Sequence, residues 1–121
     1  MNPDREDALF RVAYRHLRSR HKKRWGPEPH IDYETFKSLV TKPCVYCGHV
    51  GSNKIKDVQR GKVISDTVLR TNGIDRMDSH LGYTIDNSTT ACRFCNSAKS
   101  IMSVDYFRAW IKQCYDFMGM N

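Results

Sequence analysis

At the start of the chain, apolar positions recur with a helical period. Leu9, Val12, Ala13 and Leu17 fall at i, i+3, i+4 and i+8, with Phe10 and Tyr14 beside them, and no glycine or proline interrupts Asp4 to Lys23. Asn2-Pro3 supplies a cap and a first-turn residue, so the pattern predicts a helix with a core face at those apolar positions. Arg11, Arg15, Arg18 and Lys22 fall at i, i+4, i+7 and i+11 on another face, which is therefore basic. Trp25-Gly26-Pro27-Glu28-Pro29 ends the helix and makes a linker. Asp32 then caps a second helix, Tyr33 to about Val40, with Ile31 and Phe36 placed as a hydrophobic staple, and Pro43 stops it.

The periodicity fades from Gly48 to Lys62, a polar, glycine-containing stretch that reads as a loop carrying Lys54, Lys56, Arg60 and Lys62. Val63-Ile64 and Val68-Leu69 read as short strands. Ile74 to Met77 and Tyr83 to Ile85 read as a strand pair joined by Asp78-Ser79-His80-Leu81-Gly82, and Cys92 to Ile101 as a helix. Ser103 caps a last helix whose stripe of Phe107, Trp110, Ile111, Cys114, Phe117 and Met118 is expected to be core. Together these elements predict one α+β domain over residues 1–121. It has a basic helical part at 1–43, a central unit at 44–101 and a C-terminal helix at 102–121.

Charge and cysteine usage sharpen this picture. The 121 residues carry a formal charge of +7, which favours a polyanionic partner, most simply nucleic acid. Under that charge the segment Arg18 to Arg24, with Lys22 and Lys23, is either a solvated helix end or a phosphate-contacting surface. The loop with Lys54 and Lys56 is either a mobile insertion or a DNA-contacting arm. No stretch approaches the ~20 apolar residues of a membrane span, and no apolar run of signal-peptide length opens the chain, so a soluble intracellular protein is expected.

Of five cysteines, four form two C-x-x-C pairs, Cys44/Cys47 and Cys92/Cys95. Without a secretion signal such pairs favour metal over disulfides, and two knuckles can close a tetrahedral zinc site made of four thiolates. Zinc on four thiolates would leave a net charge of roughly +5.

The run from Cys44 to Lys99 combines Cys44-Val45-Tyr46-Cys47-Gly48, Gly73-Ile74-Asp75-Arg76-Met77-Asp78, Gly82-Tyr83, Asn87 and Cys92-Arg93-Phe94-Cys95-Asn96, ending in Lys99. That combination resembles the HNH (ββα-metal) endonucleases. Specifically, it is similar to the zinc-stapled group found among phage, homing and rare-cutting restriction enzymes. The resemblance implies a ββα-metal core in which Asp75 and Asn96 hold one divalent ion, Mg²⁺ or Mn²⁺, with the hard oxygen ligands such ions prefer. It implies that Asn87 orients the loop carrying the base, that Lys99 holds the scissile phosphate, and that zinc is structural. The implied reaction is hydrolysis of DNA, in double-stranded form, to 5′-phosphate and 3′-hydroxyl ends. A palindromic cutter of this kind would need two sites, hence a possible homodimer.

One position departs from the pattern. Most HNH enzymes place a water-activating histidine where this chain has Arg76, and a guanidinium with a pKa above ~12 cannot accept the proton. Similar Asp-Arg restriction enzymes are thought to use the tyrosine of the first knuckle, here Tyr46. His80 and His49 are rivals for that role. The expected function is thus a metal-dependent DNA endonuclease working inside a phage-infected or bacterial cell. The alternative is a non-catalytic zinc-ribbon module that binds nucleic acid.

Overall fold

The computed structural model describes residues 2–120, with side chains described at all of these but 65–67. Helix α1 spans Pro3–Trp25 and runs two residues beyond its expected end. Asn2 caps it by accepting the Arg5 N–H at 2.8 Å, and Gly26, at φ 83°, ends it in a conformation only glycine adopts easily. Its buried side chains are Leu9, Phe10, Leu17 and His21. The apolar face is therefore rotated from the expected one: Phe10 is 2% exposed, whereas Val12 is 38% exposed. Helix α2, Tyr33–Val40, is capped by Asp32 on the Thr35 N–H at 2.8 Å. Ile31 and Phe36 are both buried in the same cluster, as a staple requires.

The segment expected to be a loop is instead a hairpin. Strand β1, Asn53–Gln59, pairs antiparallel with β2, Lys62–Thr71, which absorbs both of the short strands expected at 63–64 and 68–69. The connection is Arg60-Gly61, with φ 52° and 77°, the backbone twist of a two-residue primed turn. Two features hid it from sequence. Arg-Gly lacks the usual Asn-Gly or Asp-Gly signal, and a register shift between Lys56 and Val58 breaks the period-two pattern at Asp57. Asp57 points inward, 4% exposed, and takes the Arg5 Nε–H at 2.6 Å, which ties the hairpin to α1.

Strand β3, Gly73–Arg76, pairs antiparallel with β4, Ser88–Ala91, in the register Ile74 to Thr90 and Asp75 to Thr89. The expected second strand at Tyr83–Ile85 is not one; these residues lie in the connection. Ser-Thr-Thr-Ala reads as polar, but Thr90 is 3% exposed because its hydroxyl donates to the Leu39 carbonyl at 2.6 Å. Tyr83 packs against the core instead, and its carbonyl accepts the Ile31 N–H at 2.9 Å.

Helix α3, Arg93–Lys99, follows β4, and helix α4, Val104–Met118, closes the order. The core gathers Leu9, Phe10, Leu17, Ile31, Phe36, Val40, Leu69 and Ile74. Beside it Asn72, 1% exposed, donates from Nδ2 to the carbonyls of Lys42 (2.9 Å) and His49 (2.8 Å) and accepts the Ser52 N–H at 3.1 Å. One side chain thus joins the end of α2, the first cysteine turn and the hairpin base. The apolar stripe of α4 is not core as expected. Phe107 alone is buried, against Tyr46 at a ring distance of 5.1 Å. Trp110, Ile111, Phe117 and Met118 are exposed and Cys114 is half-buried. The helix docks through its first turn, and among the described residues no element covers the rest.

Candidate active site

The two cysteine turns converge. Cys44, Cys47, Cys92 and Cys95 place their Sγ atoms within 4.8 Å of one another, with Cys47 and Cys92 at 3.6 Å. Zinc–sulfur bonds of about 2.3 Å in a tetrahedron need sulfur–sulfur edges of about 3.8 Å, so the donor set fits zinc. The backbone builds the site. Val45 N–H donates to the Thr90 carbonyl at 3.0 Å, locking the first knuckle onto β4, and Gly48, at φ 80°, completes the turn with its N–H on the Cys44 carbonyl. Cys92 caps α3, its sulfur accepting the Cys95 N–H at 3.3 Å. Burial opposes ionisation of Cys44, but hydrogen bonds from the surrounding backbone outweigh it and bring its thiol down to about 7. Burial first, and then the neighbouring thiols, push Cys95 up.

Next to this cluster, β3 carries Asp75 into the interior, 3% exposed. Its Oδ2 accepts the Tyr46 hydroxyl at 2.7 Å, and its Oδ1 accepts from Lys99 Nζ at 3.3 Å. Lys99 is fully buried and also donates to the Arg76 carbonyl at 3.1 Å. The placement expected of Lys99, facing a DNA phosphate, is therefore not what the fold provides. One helical turn beyond Asn96, the side chain turns inward because an anionic partner awaits it there. Tyr46 is held as a phenol. Burial first, and then its hydrogen bond to the Asp75 carboxylate, push its hydroxyl well above the usual tyrosine range, opposite to the shift a phenolate base would need.

Asn96 is half-buried on α3, its Nδ2 directed at the Ile74 carbonyl at 3.4 Å, next to the strand that carries Asp75. Asn87 closes the loop between β3 and β4 from within. Its Oδ1 accepts the Asp78 N–H at 2.8 Å, and its Nδ2 donates to the carbonyls of Asp78 (2.9 Å) and Gly82 (3.0 Å). Arg76 donates through Nη1 to the Ser79 carbonyl of that loop at 2.7 Å and lies over the Trp25 ring. The His80 ring is exposed and has Asp78, at 3.3 Å, as its hydrogen-bond partner among the described residues, while His49 is exposed beside Phe94. Neither histidine is hydrogen-bonded to Asp75.

The cations divide into occupied and free. Arg11 is engaged by Asp7 at 2.9 Å and Arg18 by Glu28 at 2.7 Å. Arg15, Lys22, Lys23, Arg24, Lys54 and Lys56 are exposed and make no ion pair among the described residues. Lys54 stands directly opposite Arg70 in the hairpin, a like-charged pair that weakens the ladder unless a polyanion lies across it. Sequence reasoning passed over His21, Trp25 and Asn72. For the first two the signal was present, since Leu17, His21 and Trp25 continue the four-residue spacing of the buried helix face.

No protein-family model matches this chain. The solved structure of the rare-cutting HNH restriction endonuclease PacI is similar, with a TM-score of 0.56 and 22% identity, and the match covers 93% of this chain and 82% of that one. An uncharacterized protein of Acanthamoeba polyphaga mimivirus, R423, is 33% identical over 82 residues, 68% of this chain. The chain spans only 12% of the length of that relative. With its antiparallel β3–β4 pair, the following α3 and a four-cysteine cluster able to hold zinc, the chain has an α+β, HNH-like fold.

Proposed function

We propose that this chain is a metal-dependent DNA endonuclease that hydrolyses phosphodiester bonds and leaves 5′-phosphate and 3′-hydroxyl ends. The observation that carries the reading is Asp75, a carboxylate buried on β3 and bracketed by Tyr46 and Lys99 in an HNH-like fold. Asp75 and Asn96 are the residues that would hold Mg²⁺ or Mn²⁺, since a carboxylate and an amide oxygen are the hard donors such a cation prefers. When bound, that ion stabilises charge developing on the transferring phosphate. Cys44, Cys47, Cys92 and Cys95 would hold zinc in a structural role.

The chain's own groups do the rest. Arg76, charged at any working pH, binds the phosphate; Lys99 holds the carboxylate of Asp75 in place; Asn87 sets the loop between them. Tyr46 is the candidate to take a proton from water, which it can do only as phenolate, a form that Arg76 and the bound ion would have to favour over the phenol now held by Asp75. The free cations Arg15, Lys22, Lys23, Arg24, Lys54 and Lys56, with Arg11 and Arg18 once released from their partners, give double-stranded DNA its phosphate contacts. The 121 residues act as one domain on DNA inside a phage-infected or bacterial cell, and a homodimer supplies two cuts. No described helix is long and apolar enough to cross a membrane.

A second reading, a nucleic-acid-binding module without catalysis, is favoured by two observations. Lys99 already neutralises Asp75, and Tyr46 holds its proton firmly. Supercoiled plasmid incubated with zinc-loaded protein and Mg²⁺ or Mn²⁺ decides between them. Nicked or linear product that DNA ligase can reseal supports the nuclease, because resealing needs both expected ends. Retarded but uncut plasmid supports the module.

A further inference from the structure

Arg76 leaves β3 toward the last turn of α1. Its guanidinium carbon lies 4.7 Å from the Trp25 ring centroid and 5.5 Å from that of Tyr83. Trp25 is itself fixed. Its Nε1–H donates to the His80 carbonyl at 3.1 Å, and its ring meets Tyr83 edge-on at 6.3 Å. One helical turn earlier His21, 1% exposed, accepts the Tyr83 N–H on Nδ1 at 3.0 Å. Gly82 lies in the seam: a Cβ there would stand 3.2 Å from the Trp25 indole and inside contact distance of His21. The end of α1 and the loop at 78–83 thus meet where Arg76 is held.

This arrangement leaves the cation ordered but unspent. Arginine has five N–H donors, and those of Nε and Nη2 meet no protein acceptor among the described residues. A guanidinium lying on an aromatic face, with one nitrogen fixed by a carbonyl, keeps its other edge as a fork for an oxyanion without having to be immobilised on binding. Tyr83 lies farther off, so the indole is the principal surface.

We propose that Trp25 is a positioning residue for Arg76: its indole face carries the guanidinium, while its Nε1–H fixes the loop whose Ser79 carbonyl holds the same side chain. The proposal rests on the reading of Arg76 as the phosphate-binding group. It makes α1 part of the active site's alignment, not only of the core.

Two substitutions separate the parts. Trp25→Phe keeps an aromatic face and removes Nε1–H, whereas Trp25→Leu keeps an apolar side chain but removes both the face and Nε1–H. The first readout is the Arg76 Nε–H resonance in NMR, assigned by its loss in Arg76→Ala. It is expected at a ring-shifted position in the unmodified protein and in Trp25→Phe, and at the position of an exposed arginine in Trp25→Leu. The second is affinity for a short duplex without divalent ions. Trp25→Leu is expected to weaken binding by about 2- to 10-fold, the range of one cation–π contact, and to have no further effect in Arg76→Ala. The third is plasmid cleavage, where a displaced guanidinium lowers kcat by up to about 100-fold with KM changed far less. Zinc content and melting temperature of Trp25→Phe check the fold.

An Arg76 resonance unmoved by Trp25→Leu, or an equal loss of affinity with and without Arg76, would overturn the proposal. If the unmodified protein cuts no plasmid, the nuclease reading fails on its own, and the resonance and the affinity cycle still decide whether Trp25 acts through Arg76.

Discussion

Lys99→Met is the most exacting test of the interior of this site. The methionine roughly preserves side-chain length and apolar volume but removes the ammonium that Asp75 Oδ1 accepts at 3.3 Å and that also donates to the Arg76 carbonyl at 3.1 Å. Side-chain exposures in this pair are 0% for Lys99 and 4% for Asp75, so water screens little of the charge that is left behind. Removing one partner of a buried ion pair costs about 3–5 kcal/mol, because the other charge stays buried and uncompensated. Against a total stability of about 5–15 kcal/mol, that is a large fraction. With a urea slope of about 2 kcal/mol/M for a chain of this size, the unfolding midpoint should fall by about 2 M.

The measurement is urea unfolding in saturating zinc, followed by tryptophan fluorescence and circular dichroism together, so that coincident transitions establish two-state behaviour. Lys112→Met is the control, since its pair with Asp116 is 76% and 56% exposed and should be worth less than about 1 kcal/mol. Asp75→Asn in the Lys99→Met background should recover about 1–3 kcal/mol relative to additivity. A Lys99→Met protein within about 0.5 kcal/mol of its parent, or a strictly additive double variant, would refute the claim that the pair is buried and mutually dependent.

Metal analysis should find one zinc per chain, and Cys92→Ala or strong chelation should unfold the domain, because binding energy at such a site is folding energy; a fold that survives zinc-free would count against it. Tyr46→Phe keeps the ring packed on Phe107 and removes only the hydroxyl, so the cleavage rate should drop by about 100-fold or more with the melting temperature little changed. Undiminished cleavage by that variant, with loss in His80→Ala or His49→Ala, would move the base to the histidine. Burial lowers the pKa of both His21 and His30, whose rings lie 4.6 Å apart. Both are neutral in the fold while the unfolded chain takes up protons near pH 6.5, so stability is full above about 6.5 and declines as pH falls below it. A melting temperature unchanged between about pH 8 and about pH 5 would contradict this.

The cysteine spacing and the caps at Asn2, Asp32 and Ser103 were legible in sequence. Each is a local signal: a turn that holds two thiolates, or a side chain that meets an N–H three residues on. The hairpin was not legible, because its turn is Arg60-Gly61 and its inward Asp57 reads as polar until Arg5, fifty-two positions away, is seen to neutralise it. Nor was β4, whose threonines are buried only because Leu39 offers a carbonyl to one of them. The stripe on α4 shows the converse error: periodicity says which residues share a face, and only tertiary structure says whether anything covers that face. Within the site the division is the same. The sequence by itself determined which groups this protein can bring to the candidate site. Folding alone decided that Lys99 turns inward to Asp75, that the Tyr46 hydroxyl donates to Asp75, and that Trp25 lies beneath Arg76, since each depends on a long-range contact whose energy exists only once the partners are brought together.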